Sequence, residues 1–317
     1  MRTASLALYA ALTVGLASGL SACSEDEPAD DRATTGATAT DSATDTATDT
    51  DSPEPSEQPT EAPSDTGSES PGEAAGAGGT AVPVYYVGDT PQGPRLFREF
   101  QQVSGDPLLE AAQLVDGGTP QDPDYRTEWP SVGIESVQAT DGVLLVTIAG
   151  DGFTDRPDGM SKRSARLAVQ QLVYTLQGVQ QERVPVVFQR SGAGSTLFGI
   201  DTGSPVSNAP ALDVLGLVNI TSPEQGEVVE GDTLEASGVA SSFEATVPWE
   251  IRRGNEVVLD GFATAEGWMD RLYPWEASID VSGLEPGGYT FVARTDDPSG
   301  GAEGAGPHED SKDFTLR

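Results

Sequence analysis

One cysteine, Cys23, and one histidine, His308, are all that this 317-residue chain has of either residue. A single thiol forms no internal disulfide, so a disulfide framework is excluded and the folded part must stand on its own core. A zinc centre needs several His or Cys ligands, and none remain. A Ser-His-Asp triad would depend wholly on His308, which falls in the acidic stretch Thr295–Asp310, read as a loop between two strands. "GAGSTLFG" (192–199) lacks the Gly-x-Ser-x-Gly spacing of a nucleophile elbow and no helical pattern follows it. Cations are scarce too: 17 Lys and Arg stand against 51 Asp and Glu, for a net charge of −34. Phosphate backbones are gripped by clustered cations, so nucleic acid is excluded as a partner. A glycosidase carboxylate pair is allowed by residue type alone, but neither folded block suggests the deep pocket it needs. The expectation is a non-enzyme with no catalytic residue, no metal and no cofactor.

What is present begins at the N-terminus. Met1-Arg2-Thr3 precedes an apolar run from Ala4 to Leu20, and Leu20-Ser21-Ala22-Cys23 closes it with small residues. A charge, an apolar core and small residues before a cut point make a secretion signal. Leu20-Ser21-Ala22-Cys23 resembles the lipobox of bacterial lipoproteins. That resemblance implies cleavage after residue 22, a diacylglycerol on Cys23, and anchoring at the extracytoplasmic face of the cell membrane. Two acyl chains hold a protein stably where one does not. With only two lysines, Lys162 and Lys312, and an Arg, Ala and Gly bias, the composition points to a GC-rich host such as an actinobacterium.

From Ser24 to Gly79 there is no Val, Ile, Leu, Met or aromatic residue. Such a segment has nothing to bury against the entropy of ordering and is expected to be a disordered tether. Its acids repel one another, so it should reach beyond the roughly 40 Å of a neutral flexible coil of that length. The expected organisation is a signal at 1–22, a lipidated tether at 23–79, a first domain at 80–205, a linker at 206–213 and a second domain at 214–317.

The first domain mixes periods. "AVPVYYV" (81–87) and "RLFREFQQV" (95–103) read as strands, and "DPLLEAAQLV" (106–115) as a short helix capped by Asp106. "VGIESVQATDGVLLVTIAG" (132–150) reads as a hairpin turning at Asp141-Gly142. From Ser161 to Gln180, residues Ala165, Val169, Leu172, Leu176 and Val179 recur at helical spacing. Strands at Val184–Gln189 and Ser195–Ile200 follow, giving an α+β domain with its helices on one face of a sheet. The second domain shows seven short strand candidates separated by turn signals, the pattern of a β-sandwich. "DVSGLEPGGYTF" (280–291) has the form of a tyrosine corner, with Tyr289 bonding back to the backbone.

"GVLLVTIAGDGF" (142–153) followed by "SARLAVQQLVYTLQ" (164–177) resembles the GerM-type domain of sporulation and germination lipoproteins. "VNITSPEQGEVVEG" (218–231), "SGVASSFEATVPWEI" (237–251) and "GFATAEGWMDRLYPWEASIDVSGL" (261–284) resemble the immunoglobulin-like domain found beside it. The fold class expected is therefore multi-domain: an α+β GerM-type domain, then an all-β immunoglobulin-like sandwich. The resemblance implies a non-catalytic scaffold or binding protein in envelope assembly, sporulation or germination, and allows oligomerisation. The alternatives are a module that binds peptidoglycan or another glycan and, more remotely, a cell-wall hydrolase.

Three features are candidates for binding. Lys162, Arg163 and Arg166 open the long helix, where the macrodipole favours acids, and either pair with Asp155 or Asp158 or meet an anionic wall polymer or envelope protein. Trp249, Phe262, Trp268, Tyr273 and Trp275 fill the sandwich or form a sugar-stacking platform, and Trp268, in a connection, is the one expected to be exposed. Asp296, Asp297, Glu303, Glu309 and Asp310 leave calcium open, although their spacing fits no EF-hand.

Overall fold

A computed structural model describes residues 79–190, 192, 194–299, 302 and 304–317. The expected signal, Cys23 and the tether through residue 78 lie outside them. In the first domain, alternating apolar residues pair β1 (Thr80–Gly88) with β2 (Arg95–Val103) antiparallel, from Thr80↔Val103 to Gly88↔Arg95. After α1 (Pro107–Gly117), whose cap Asp106 accepts from the Leu109 N–H at 3.0 Å, the short β3 (Tyr125–Arg126) takes the other edge of β1. β4 (Ile134–Thr140) and β5 (Val143–Ile148) form the expected hairpin. Asp141 and Gly142 both have positive φ there, 46° and 75°, as a two-residue turn that follows the strand twist requires.

α2 (Lys162–Gln180) starts at Ser161, whose hydroxyl accepts from the Ser164 N–H at 2.9 Å. Ala165, Val169, Leu172 and Leu176 are buried as their spacing predicts, and Val179 packs partly buried against them. β6 (Val186–Arg190) returns parallel to β5, and β7 (Thr196–Leu197) with β8 (Ile200–Asp201) makes a small hairpin where one strand was expected. The expected single sheet is divided into two of three strands each, β2-β1-β3 and β4-β5-β6. α1 packs on both β1 and β4, one strand from each sheet.

α3 (Ala211–Val214) falls at the end of the expected linker and leads into the second domain, whose first strand begins later than the expected start at Val214. β9 (Val218–Ser222), β10 (Glu227–Val229), β11 (Thr233–Ala240), β12 (Thr246–Arg253), β13 (Glu256–Thr264), β14 (Tyr273–Asp280), β15 (Gly287–Arg294) and β16 (Glu309–Leu316) follow. They form two packed sheets, β10-β16-β15-β12-β13 and β14-β11-β9. The strand not foreseen is β10, which runs parallel to the end of β16. Trp275, Phe291 and Phe314 fill the space that a disulfide would bridge in other sandwiches of this kind. The tyrosine corner is formed: Tyr289 Oη donates to the Glu285 carbonyl at 2.5 Å, and its ring stacks on Phe314.

Phe262, read with its neighbours as a core aromatic, is instead 70 % exposed. Its neighbour Gly261 sits opposite Trp249, and a Cβ there would lie 2.4 Å from the indole. The Trp249 ring thus lies across Gly261 on the inner side of β13. Alternation then points Phe262 outward while Ala263 is buried.

Candidate functional site: the polar seam between the domains

Period-two alternation along β16 puts Phe314 and Leu316 into the sandwich core. It also turns Asp310, Lys312 and, just before the strand, His308 to the same side. At that end the sandwich meets the first domain, so these three groups face a protein surface and not water. Asp122 and Tyr125 come from the other side, with Asn219 and Ile220 of β9 completing the ring. All except Tyr125, at 8 %, are no more than 5 % exposed.

Lys312 Nζ donates to Asp122 Oδ2 at 2.5 Å and to Tyr125 Oη at 2.7 Å, and lies 3.4 Å from Asp310 Oδ1 and 4.2 Å from the centre of the Tyr125 ring. Tyr125 Oη in turn donates to Asp310 Oδ1 at 2.5 Å. Asp310 Oδ2 accepts from the Ile220 N–H at 2.6 Å and from Asn219 Nδ2 at 3.2 Å. Beside this cluster the Glu99 carboxylate accepts from Gln101 Nε2 at 2.5 Å and from the N–H groups of Gln121 and Asp122 at 2.9 and 3.2 Å.

Two carboxylates touch one ammonium. Burial raises Asp122 above its ordinary value, against the pull of Lys312. Burial alone would lower Lys312, but Asp310 and Asp122 outweigh it and hold the ammonium protonated. Burial, then Asp310 and Asp122, push the Tyr125 phenol well up, so it stays a donor. The chemistry present is that of a clamp. The two carboxylates, the ammonium and the phenol are enclosed and already partnered within the protein.

Around the clamp the contact continues. Gly216 N–H donates to the Leu96 carbonyl at 2.8 Å, and a Cβ on Gly216 would lie 2.5 Å from the Phe97 ring, so only glycine lets the linker pass so close. Arg95 Nη1 donates to the Leu212 and Leu215 carbonyls at 2.6 and 3.0 Å, and Arg98 Nη2 to Thr221 Oγ1 at 2.9 Å. His308 lies, as read from the sequence, in the connection between two strands, but it is buried in the seam and not open to solvent. Its Nδ1 accepts from the Leu217 N–H at 3.4 Å, its own N–H donates to Thr295 Oγ1, and its Nε2 is buried with no partner among the described residues. Burial and the nearby Arg95 lower its pKa to about 4, so it is neutral at pH 7.

The residues singled out in the sequence lie elsewhere. Lys162, Arg163 and Arg166 are exposed at the start of α2; Arg163 Nη2 donates to the Gln92 and Pro94 carbonyls at 3.3 Å, and none of the three forms an ion pair with Asp155 or Asp158. Trp268 is 38 % exposed and meets Phe243 edge to face, with ring centres 5.3 Å apart. Trp275 is core, and Trp249 and Tyr273 are partly buried against it. The acids considered for calcium that the structure describes do not come together as one group. Asp310 is in the clamp, Glu309 faces Arg252 at 3.8 Å, and Asp297 Oδ1 accepts from Ser299. Glu303 lies outside the described residues, among which no three His, Cys, Asp or Glu converge as a metal site.

Residues 83–194 match the family model described as sporulation and spore germination, and residues 217–302 the one described as the immunoglobulin-like domain of bacterial spore germination. The chain thus joins a GerM-type domain to a germination-type immunoglobulin-like domain. Neither is a known catalytic family. Among solved structures, the tandem GerMN domains of the sporulation protein GerM from Bacillus subtilis are similar at 17 % identity, covering 43 % of this chain and 50 % of that one, with a TM-score of 0.34. This chain therefore spans about half the length of that protein. A putative lipoprotein from Clostridium perfringens is similar at 14 % identity, over 41 % of this chain and 88 % of that one, with a TM-score of 0.27. No curated protein matched the chain. The seam joins the two matched regions, since Asp122 and Tyr125 lie in the GerM-type domain and Asn219 and Ile220 in the immunoglobulin-like one.

Proposed function

We propose that this germination-type protein is a membrane-anchored lipoprotein on the extracytoplasmic face. In this reading it acts as a non-catalytic scaffold in envelope assembly, sporulation or germination. The observation that carries the scaffold reading is the clamp, because His308, Asp310, Lys312, Asp122 and Tyr125 hold one domain to the other. A scaffold needs that fixed geometry, whereas an enzyme needs such groups open to substrate. The basic start of α2 is the surface through which an acidic envelope protein or wall polymer is engaged.

Crosslinking in intact cells tests the scaffold. Lys162→Glu, Arg163→Glu and Arg166→Glu together should remove crosslinks to envelope partners while circular dichroism stays unchanged. A folded triple variant that keeps every crosslink would discard the patch. Anchoring is tested separately: Cys23→Ser should abolish lipid labelling and release the protein from the membrane fraction.

A second reading, glycan binding, draws on the exposed Phe243–Trp268 pair, since aromatic faces stack on sugar rings. Pull-down on wall glycan with Trp268→Ala as control separates it from the scaffold reading. Turnover of wall material by the purified protein would contradict both.

A further inference from the structure

β13 is an edge strand of the five-stranded sheet: it pairs with β12 on one side and with no strand on the other. Two bonds at its end show which way its backbone groups point. Ala265 N–H donates to the Ala245 carbonyl, continuing the pairing with β12, whereas Glu266 N–H donates the opposite way, to the Pro274 carbonyl. In an antiparallel ladder this alternation runs back along the strand. Leu259, Gly261 and Ala263 therefore bond to β12, and the N–H and C=O groups of Asp260 and Phe262 point away from the sheet. Pro248, directly opposite Phe262, has no N–H to offer it, in keeping with that phase. Among the described residues nothing pairs with these outward groups.

Such edges are commonly blunted by Lys, Pro or a bulge. Here the bulge lies beside Arg252 near the start of β13, and the register from Ile251↔Leu259 to Thr246↔Thr264 is regular. Phe262 and Val257 stand 70 % and 45 % exposed on the outer face. Between them Asp260, also exposed, faces Glu250 across the strand pair. Glu250 already holds Arg252 and Arg294, and Asp260 forms no ion pair among the described residues. Like charges set opposite each other are unfavourable, and a cation from outside would relieve them.

We propose that the free edge of β13 is a docking site for an extended segment of another protein, which adds a strand beside Asp260 and Phe262 and sets a Lys or Arg against Asp260. Main-chain hydrogen bonds supply the affinity of such an added strand, and its alternate side chains the selectivity. Phe262 and Val257 offer apolar contact to either side of the cation. A second copy is a poor occupant, since β13 carries Glu256 and Asp260 and no cation, and the chain has a net charge of −34. The inference does not rest on the scaffold reading, and stands or falls apart from the basic start of α2.

The test is NMR of the purified full chain, followed at the Asp260 and Phe262 amides. The probes are acetyl-Val-Lys-Val-Lys-Val-amide, the same peptide with Glu for each Lys, and the lysine peptide with an N-methylated backbone. The lysine peptide should shift both amides saturably and slow their exchange with solvent, and the other two should do neither. Phe262→Pro removes the outward N–H without touching a bond to β12, and should weaken the lysine peptide at least about fivefold. Asp260→Lys should reverse the preference toward the glutamate peptide. It leaves the edge backbone as it is, so the test holds even if the proline variant misfolds. Unmoved amides with the lysine peptide, or equal shifts with its N-methylated form, would overturn the site. Equal shifts with the glutamate peptide would overturn the cationic partner. Protection of these amides that rises with protein concentration alone, with a dimer in sedimentation, would replace the partner by a second copy and overturn the assignment.

Discussion

Lys162 heads α2 in open solvent beside Arg163 and Arg166, whereas the side chain of Lys312 is 3 % exposed and touches two carboxylates and a phenol. These are the only lysines in the chain, and their surroundings give them opposite meanings. An exposed cation faces solvent, and removing it disturbs little inside. A buried one is already engaged, and its removal strands the acids it neutralised. The charge count, so heavily negative, says nothing of this division. Placement does.

The largest expected effect lies at the buried end. Lys312→Met leaves Asp122 and Asp310 facing each other without a cation, and should cost about 3–5 kcal/mol in denaturant unfolding. A loss no larger than that of a surface change would place the clamp outside the stabilising interactions.

Next comes acid. His308 has a folded pKa of about 4 against an ordinary 6.5, so below pH 6.5 the unfolded chain takes up a proton that the folded one refuses. Its contribution is fully present above 6.5 and is lost as pH falls toward 4. Asp122 works the other way: its raised pKa lets the folded state hold a proton above 3.8, which favours folding as pH falls. His308→Gln should therefore flatten the loss of stability between about pH 6.5 and 4 relative to the parent chain. Parallel pH profiles for the two proteins would contradict it.

A smaller effect is expected in the sandwich alone. Tyr289→Phe removes one hydrogen bond and should cost about 1 kcal/mol in a thermal melt. Smallest is the exposed end. The triple reversal at Lys162, Arg163 and Arg166 should change stability by no more than about 0.5 kcal/mol, since acids suit a helix start. A large loss there would erase the contrast between the two lysines.

Much of the fold was legible because its patterns are local. The stripe on α2, the strand at Thr233–Ala240 and the corner at Tyr289 each draw on residues within a turn or two of one another. α3, β3 and β10 are four, two and three residues long, too short to show any period. The clamp was missed for a different reason. Asp122 and Lys312 stand 190 positions apart, and a charged residue at every second position of a strand reads as its wet face. One signal was available: His308, Asp310 and Lys312 share the parity of Phe314 and Leu316, so burying the last two buries the first three.

The central claim is that the clamp couples the two domains, and a double-mutant cycle across it tests that most directly. Asp122→Asn, Lys312→Met and the pair together are unfolded in denaturant as full chains beside the parent. The account predicts a coupling of at least about 2 kcal/mol, with the pair costing far less than the two single changes summed. Additivity within about 0.5 kcal/mol would contradict it, for the two groups would then contribute independently and nothing would be clamped.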